Sequence, residues 1–235
     1  MLIVRRDRFL TGAVLAATFV AVLIFMFLPV VGGLNAFEGA DRLFNSMAKG
    51  SSNSFEEMRR AAAERRGSDV QVDIDLGDGK LAGTARTLLS KAGLGAEGDG
   101  TKLRVSGDLS GLAGAIIDDS EVVFYNKGTA MVAKYGQPER DTLFAWWSIL
   151  KEMQKALESK GAFQAAAFLS EVSVKGVEVA YNFYGIEPKE ATRNAGILAG
   201  SLLFYVVYTL WWGYAILCLF DGLGMEMKAG ARKEV

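Results

Sequence analysis

LTGAVLAATFVAVLIFMFLPVV, residues 10–31, and AGILAGSLLFYVVYTLWWGYAILCLF, residues 195–220, decide the architecture. Neither run holds a charged residue, and the first has only Thr11 and Thr18 as polar groups. At 1.5 Å per residue the first makes about 33 Å of apolar helix, enough to cross the hydrocarbon core of a bilayer. The second is longer and carries Phe204, Tyr205, Tyr208, Trp211, Trp212, Tyr214 and Phe220. A backbone in hydrocarbon must satisfy its own hydrogen bonds, so both runs are predicted to be transmembrane helices, with Pro29 tolerated near the outer end of the first.

Two crossings put both termini on one side. Arg5, Arg6 and Arg8 precede the first run and Lys228, Arg232 and Lys233 follow the second, which predicts cytoplasmic tails by the positive-inside rule. Arg42, Lys49, Lys189 and Arg193 near the opposite ends reduce that bias. A cleaved signal peptide is the competing reading of the first run; its length and the lack of a clean A-x-A site argue against it. The expected location is a bacterial inner membrane, with the central domain periplasmic or extracellular.

The expected fold is an α+β membrane protein in which two transmembrane helices flank a mostly helical extracytoplasmic domain with a small β-α-β unit. It divides into a cytoplasmic tail over 1–9, a transmembrane helix over 10–31, membrane-proximal helices over 32–68, the β-α-β unit over 69–109, a helical region over 110–187, a linker and second transmembrane helix over 188–220, and a cytoplasmic tail over 221–235.

Composition filters the chemistry. The chain has no histidine, which removes histidine-ligated haem, zinc and copper and every Ser-His or Cys-His arrangement. The one cysteine, Cys218, cannot form an intrachain disulfide or hold an iron-sulfur cluster by itself. It is expected to be a small apolar filler, with acylation as the alternative. Residues 33–194 carry 20 Lys or Arg against 23 Asp or Glu, which argues against a nucleic-acid partner. No cofactor is expected.

Within the central region, Phe37, Ala40, Phe44 and Met47 recur at helical spacing and predict an amphipathic helix. Ser54 to Glu57 has capping-box spacing and predicts a helix over 55–66, stopped by Gly67. That helix carries Arg59, Arg60, Arg65 and Arg66, candidates for anionic headgroups or an acidic partner against the simpler reading of a solvated face. Val70, Val72, Ile74 and Leu76 alternate with polar residues as a half-buried strand does. A helix over 80–92, a glycine-rich return over 95–100 and a second strand from Leu103 follow. Lys102 and Arg104 complement Asp73 and Asp75, so these two strands are predicted to pair, in parallel, with a further strand needed for stability. Three helices are then expected over 111–135, 139–160 and 162–184. Trp146 and Trp147 lie in the apolar stripe of the second, and the third is apolar around much of its circumference, as befits a helix packed on two sides, either buried within the domain or presenting one face to another subunit.

Several motifs admit a functional and a plain reading. Gly77 to Gly83 resembles a phosphate loop, but its spacing is off by one residue and Asp78 would repel a phosphate, so a strand-to-helix turn is expected. Asp73, Asp75 and Asp78 do not have the spacing of a calcium loop. Asp108 or Ser110 can cap the next helix. Asp118, Asp119 and Glu121 read as surface charge. In the second run, Phe204, Tyr208, Trp211 and Trp212 form a face for a quinone, a lipid or another helix, packing against helix or lipid being the simpler reading. Gly196 and Gly200 permit close helix contact.

These features lead to a non-enzymatic two-pass protein acting as an accessory or scaffold subunit of a membrane assembly, its partners being other membrane subunits or itself. The alternatives are a self-assembling homo-oligomer with the topology of polysaccharide chain-length regulators, whose proline-rich signature is missing here, or an extracytoplasmic small-ligand receptor. The candidate interaction residues are Arg59, Arg60, Arg65, Arg66, Trp146, Trp147, Gly196, Gly200, Trp211 and Trp212.

Overall fold

The computed structural model describes residues 3–30, 32–190 and 192–225, and of Arg193 only the backbone. Lys228, Arg232 and Lys233, on which half of the orientation argument rests, lie outside the described residues, as does Val31. The chain is mostly helical with one small sheet, and it forms two compact units, residues 1–44 with 190–235 and residues 45–189.

In the first unit, α1 (Arg6–Phe27) and α10 (Ala195–Gly222) are each long and apolar enough to cross a membrane. They run antiparallel. A Cβ on Gly12 would lie 2.7 Å from the Leu219 amide nitrogen, and one on Gly222 would lie 2.6 Å from Phe9 Cα, so these two glycines let the backbones touch. Between them and the far end, Phe19 is buried among Tyr208, Trp211 and Trp212, with ring centroids 4.7, 6.0 and 4.6 Å away. Arg5 pairs with Asp221 at 2.7 Å, and Gly222 O accepts from the amides of Val4 and Arg5. The first helix ends at Phe27 rather than running through Pro29, because the residue before a proline is sterically pushed out of the helical region; Leu28 is extended.

The helix α2 (Ala36–Ser51) spans the boundary of the two units, and α3 (Phe55–Ala63) opens the second proper. The expected capping box is not formed: the Ser54 side chain makes no cap hydrogen bond, and the helix stops short of residue 66. Strand β1 (Asp69–Asp75) buries Val70, Val72 and Ile74 and exposes the residues between. Helix α4 (Gly79–Lys91) is capped by Asp78, whose carboxylate accepts from Leu81 N at 2.7 Å. The glycine-rich turn is therefore a helix entry.

Sheet topology departs from the parallel pair expected. The short strand β2 (Gly95–Glu97) lies in the stretch read as a plain return, and β3 (Lys102–Asp108) comes back between β1 and β2, antiparallel to both. The crossover through α4 thus leads from β1 to β2, with β3 inserted. Asp73 faces Arg104 in the register and is bonded to it at 2.8 Å, and Asp75 faces Lys102. Charge complementarity identified the neighbours but carries no information on direction, since opposed residues meet in either sense. Lys160 Nζ donates to Gln71 O at 2.6 Å on β1.

Helix α5 (Leu109–Phe124) is capped by Asp108, which accepts from Gly111 N and, on its other oxygen, from Gly67 N. The single helix expected over 111–135 is broken. Asn126 has φ +59°, and α6 (Thr129–Tyr135) restarts beyond it. After Pro138 comes α7 (Glu139–Ser159), and then a continuous rod of α8 (Phe163–Glu171), a π-helical segment (Val172–Glu178) and α9 (Val179–Phe183). The rod packs on both α5 and α7, which explains why its sequence is apolar on two sides. The core gathers the buried face of the sheet with α4, α5, α7 and the rod, and Trp146 is its largest fully buried side chain.

Candidate functional site

On α7, Arg140, Phe144, Trp147 and Lys151 follow one another at spacings of four, three and four residues and so share a face. Phe144 and Trp147 stack, with centroids 6.0 Å apart and planes 25° apart. Opposite stand Glu178, where the π segment ends, and Tyr181 on α9. The Trp147 indole donates to Glu178 Oε1 at 2.9 Å. Lys151 lies 4.6 Å over the Trp147 ring, and Arg140 lies 5.4 Å from the Tyr181 centroid and 5.9 Å from that of Tyr184. A hydrogen bond with Glu139 raises the Tyr184 pKa, aided by desolvation.

The result is an open cleft of 410 Å³ floored by Leu143 and Val177 and walled by Phe144, Trp147 and Tyr181. Phe144 is 53 % exposed and Tyr181 40 %. Large aromatic groups held in place by cations and a carboxylate lose little rotamer freedom on binding, and Trp, Tyr and Arg are the residues that dominate interface energetics. A π segment is rare and is frequent at functional sites. Chemically, the cleft offers ring faces for apolar contact, with Glu178 and Asn182 for hydrogen bonds.

The sequence candidates separate. Trp147 is in the cleft. Its neighbour Trp146, about 100° further round the helix, is wholly buried and donates to Asp119, so it meets no surface. Arg59 is tied to Glu56, Asp118 and Glu121, the bond to Glu121 being the main cause of its raised pKa. Arg65 donates to Ala61 O and lies 4.1 Å over the Phe168 ring, while Arg60 and Arg66 are exposed. The four do not act as one basic patch. Trp211 donates to Leu15 O and, with Trp212, encloses Phe19, so much of that aromatic face is taken by α1. Cys218 is buried. Gly196 and Gly200 have nothing within 4 Å of their Cβ positions among the described residues.

Sequence reading missed Phe144, Glu178 and Tyr181. The spacing of Arg140, Phe144, Trp147 and Lys151 was the available signal, masked by the broader stripe of Leu143, Trp146, Leu150 and Met153 beside it.

Two buried polar clusters lie elsewhere in this unit. Asp119, read from the sequence as surface charge, is 1 % exposed and accepts from Lys134 Nζ and Tyr135 Oη at 2.6 Å each and from Trp146 Nε1 at 2.9 Å. Lys49 is fully buried, donating to Asn126 Oδ1 at 3.2 Å, to Phe183 O at 3.0 Å and to Ile186 O, with the Phe124 ring 5.0 Å away. Among the described residues, no group of three or more Cys, Asp or Glu could hold a metal ion.

Ser120 Oγ is buried beside Gly176 of the π segment and has no partner among the described residues. An unsatisfied buried hydroxyl costs about 1–3 kcal/mol. Ser120→Ala should therefore raise stability by roughly 1 kcal/mol, seen as a melting temperature about 2–4 °C higher in detergent. A fall of the same size would mean that the hydroxyl is satisfied after all.

No protein-family model, curated protein or solved structure matches the chain.

Proposed function

We propose that the chain is a two-pass protein of the bacterial inner membrane, with both termini cytoplasmic, that works without catalysis as an accessory or scaffold subunit. Its extracytoplasmic domain docks a partner protein in the aromatic cleft of α7 and α9. The membrane part of this reading is supported by α1 and α10, which are long and apolar enough to cross a bilayer and leave most of their large side chains exposed. The docking part is carried by one observation: exposed Phe144 and Tyr181 and half-buried Trp147 converge on a single cleft and are braced by Arg140, Lys151 and Glu178. An unused face would be expected to replace such groups with polar ones.

The test is to extract the natively expressed, tagged chain in mild detergent, weigh the particle and identify every co-purifying chain. A partner present in fixed ratio, and lost from the Phe144→Ala/Tyr181→Ala double variant, is the expected result. Both side chains are largely outside the core, so the variant should melt within about 3 °C of wild type, a loss of roughly 1 kcal/mol. A second reading, self-assembly, is favoured by Gly196 and Gly200 on α10, whose Cβ positions meet nothing within 4 Å among the described residues. It requires a particle whose protein mass is a whole multiple of 25.3 kDa. A monomer without company would sink both.

A further inference from the structure

Since β3 lies between β1 and β2, both outer strands of the sheet are edges. They differ in what they offer. β2 has three residues, one of them a glycine, and is too short to template another strand. β1 has seven, with no proline and an unbroken register against β3. Ser68 O accepts from Leu109 N and Leu76 N donates to Thr101 O, so the even-numbered residues of this stretch turn their backbone groups towards β3. In an antiparallel ladder the residues between them turn theirs the other way. The N–H and C=O groups of Asp69, Gln71, Asp73 and Asp75 therefore point out of the sheet, and among the described residues no backbone group meets them. One exposed side chain reaches in, Lys160, to Gln71 O.

We infer that the β1 edge receives a strand of a partner protein, one that alternates basic with apolar residues. Main-chain bonds supply the attraction in such an addition and alternate side chains the selectivity. The solvent face of β1 presents Asp69, Gln71, Asp73 and Asp75, all exposed. Asp73 has its own cation in Arg104, at 2.8 Å. Asp69 has no ion pair among the described residues, and Asp75 accepts from Gly77 N instead. Opposite charges across a strand pair stabilise it and like charges oppose it, so Lys or Arg fits on this face of the incoming strand. The same rule excludes a second β1. In antiparallel pairing over the full length, Asp69 of each copy would meet Asp75 of the other; a slip of two residues sets Asp69 against Asp73, or Asp73 against itself. On the core side, the turn that follows Lys160 stands beside the edge. There Phe163, 67 % exposed, lines a cleft with Ser68 at the start of β1 and offers contact to the apolar residues of the added strand. This surface shares no residue with the aromatic cleft and does not rest on its proposed role.

The test offers the full chain in detergent a peptide of about nine residues that alternates lysine with valine, and follows amide hydrogen exchange residue by residue. In the free chain Val70, Val72 and Ile74 should be protected and Gln71, Asp73 and Asp75 should exchange fast; bound peptide should slow the latter set about ten-fold or more. Two methylated peptides keep the charge. Methyl groups on the lysine nitrogens block an antiparallel addition and those on the valine nitrogens a parallel one, so one of the two, and not the other, should bind about ten-fold more weakly, the effect of a few net hydrogen bonds. Gln71→Pro should also weaken binding about ten-fold while the sheet stays folded, because the amide it deletes points away from β3 and proline is tolerated on an edge strand. If that variant folds poorly, the methylated peptides decide on wild type alone. Equal affinity for the two of them leaves only charge attraction and overturns strand addition, as does a failure of the parent peptide to bind. A glutamate-for-lysine peptide that binds as well overturns the basic partner. Slow exchange of Gln71, Asp73 and Asp75 without peptide means that the edge is already filled, by this chain in a monomer or by a second copy in a dimer, and overturns the proposal too.

Discussion

Asp119→Ala should lower stability by about 3–5 kcal/mol, the cost of removing one member of a buried charged network, and with it the melting temperature by roughly 10 °C. One carboxylate on α5 joins Lys134 and Tyr135 of α6 to Trp146 of α7, so its loss strands the Trp146 indole in the core and unties three helices at once. Lys134 is partly exposed and can regain water; Trp146 cannot. The neighbouring Asp118→Ala is the internal control. Asp118 meets Arg59 at the surface, and exposed pairs contribute about 0–1 kcal/mol. Thermal and denaturant unfolding of both variants in detergent would test the contrast, and equal effects would refute it. Burial, together with the bond to Asp119, raises the Tyr135 pKa. Its contribution is therefore present below the ordinary tyrosine value and lost as pH rises through the folded one.

The second large effect is expected at Lys49. Its ammonium caps the carbonyl end of the rod through Phe183 O, a position where a cation is favoured by the aligned peptide dipoles, and holds the chain that follows through Ile186 O. Asn126 completes the joint. It accepts from Lys49 and Gly185 N and donates to Ile186 O, and its positive φ is sustained by those bonds. At the same joint a Cβ on Gly50 would lie 2.5 Å from Lys189 O. Lys49→Met keeps the volume and removes the donors. We expect a loss of about 2–4 kcal/mol, two or more charge-assisted bonds less the relieved desolvation. A gain in stability would show that desolvation outweighs the bonds.

Desolvation lowers the Lys49 pKa, with Glu187 opposing. A depressed folded value makes the unfolded chain bind more protons, so this contribution grows as pH rises through the folded value and levels off above the ordinary lysine value. The stability difference between wild type and Lys49→Met should accordingly widen with pH in the wild type's favour below about 10.4. A flat difference across that window would show that Lys49 titrates normally.

What the sequence determined by itself is what local chemistry encodes. Two uncharged runs long enough to span a bilayer, the alternation of β1, the helix entries at Asp78 and Asp108 and the breaks at Gly93 and Pro138 each depend on residues within a few positions of one another. The tertiary structure alone decided the rest. Direction and order in the sheet came from a three-residue strand too short to show a period. Asp118 and Asp119, adjacent and identical, differ only in which side of α5 meets α6 and α7. Trp146 and Trp147 divide between core and cleft for the same reason. Phe144, Glu178 and Tyr181 form a cleft only because the rod packs along α7, and Gly12 and Gly200 differ only in what stands opposite. Periodicity records which face of an element is apolar, but which element covers that face is set by contacts far apart in the chain.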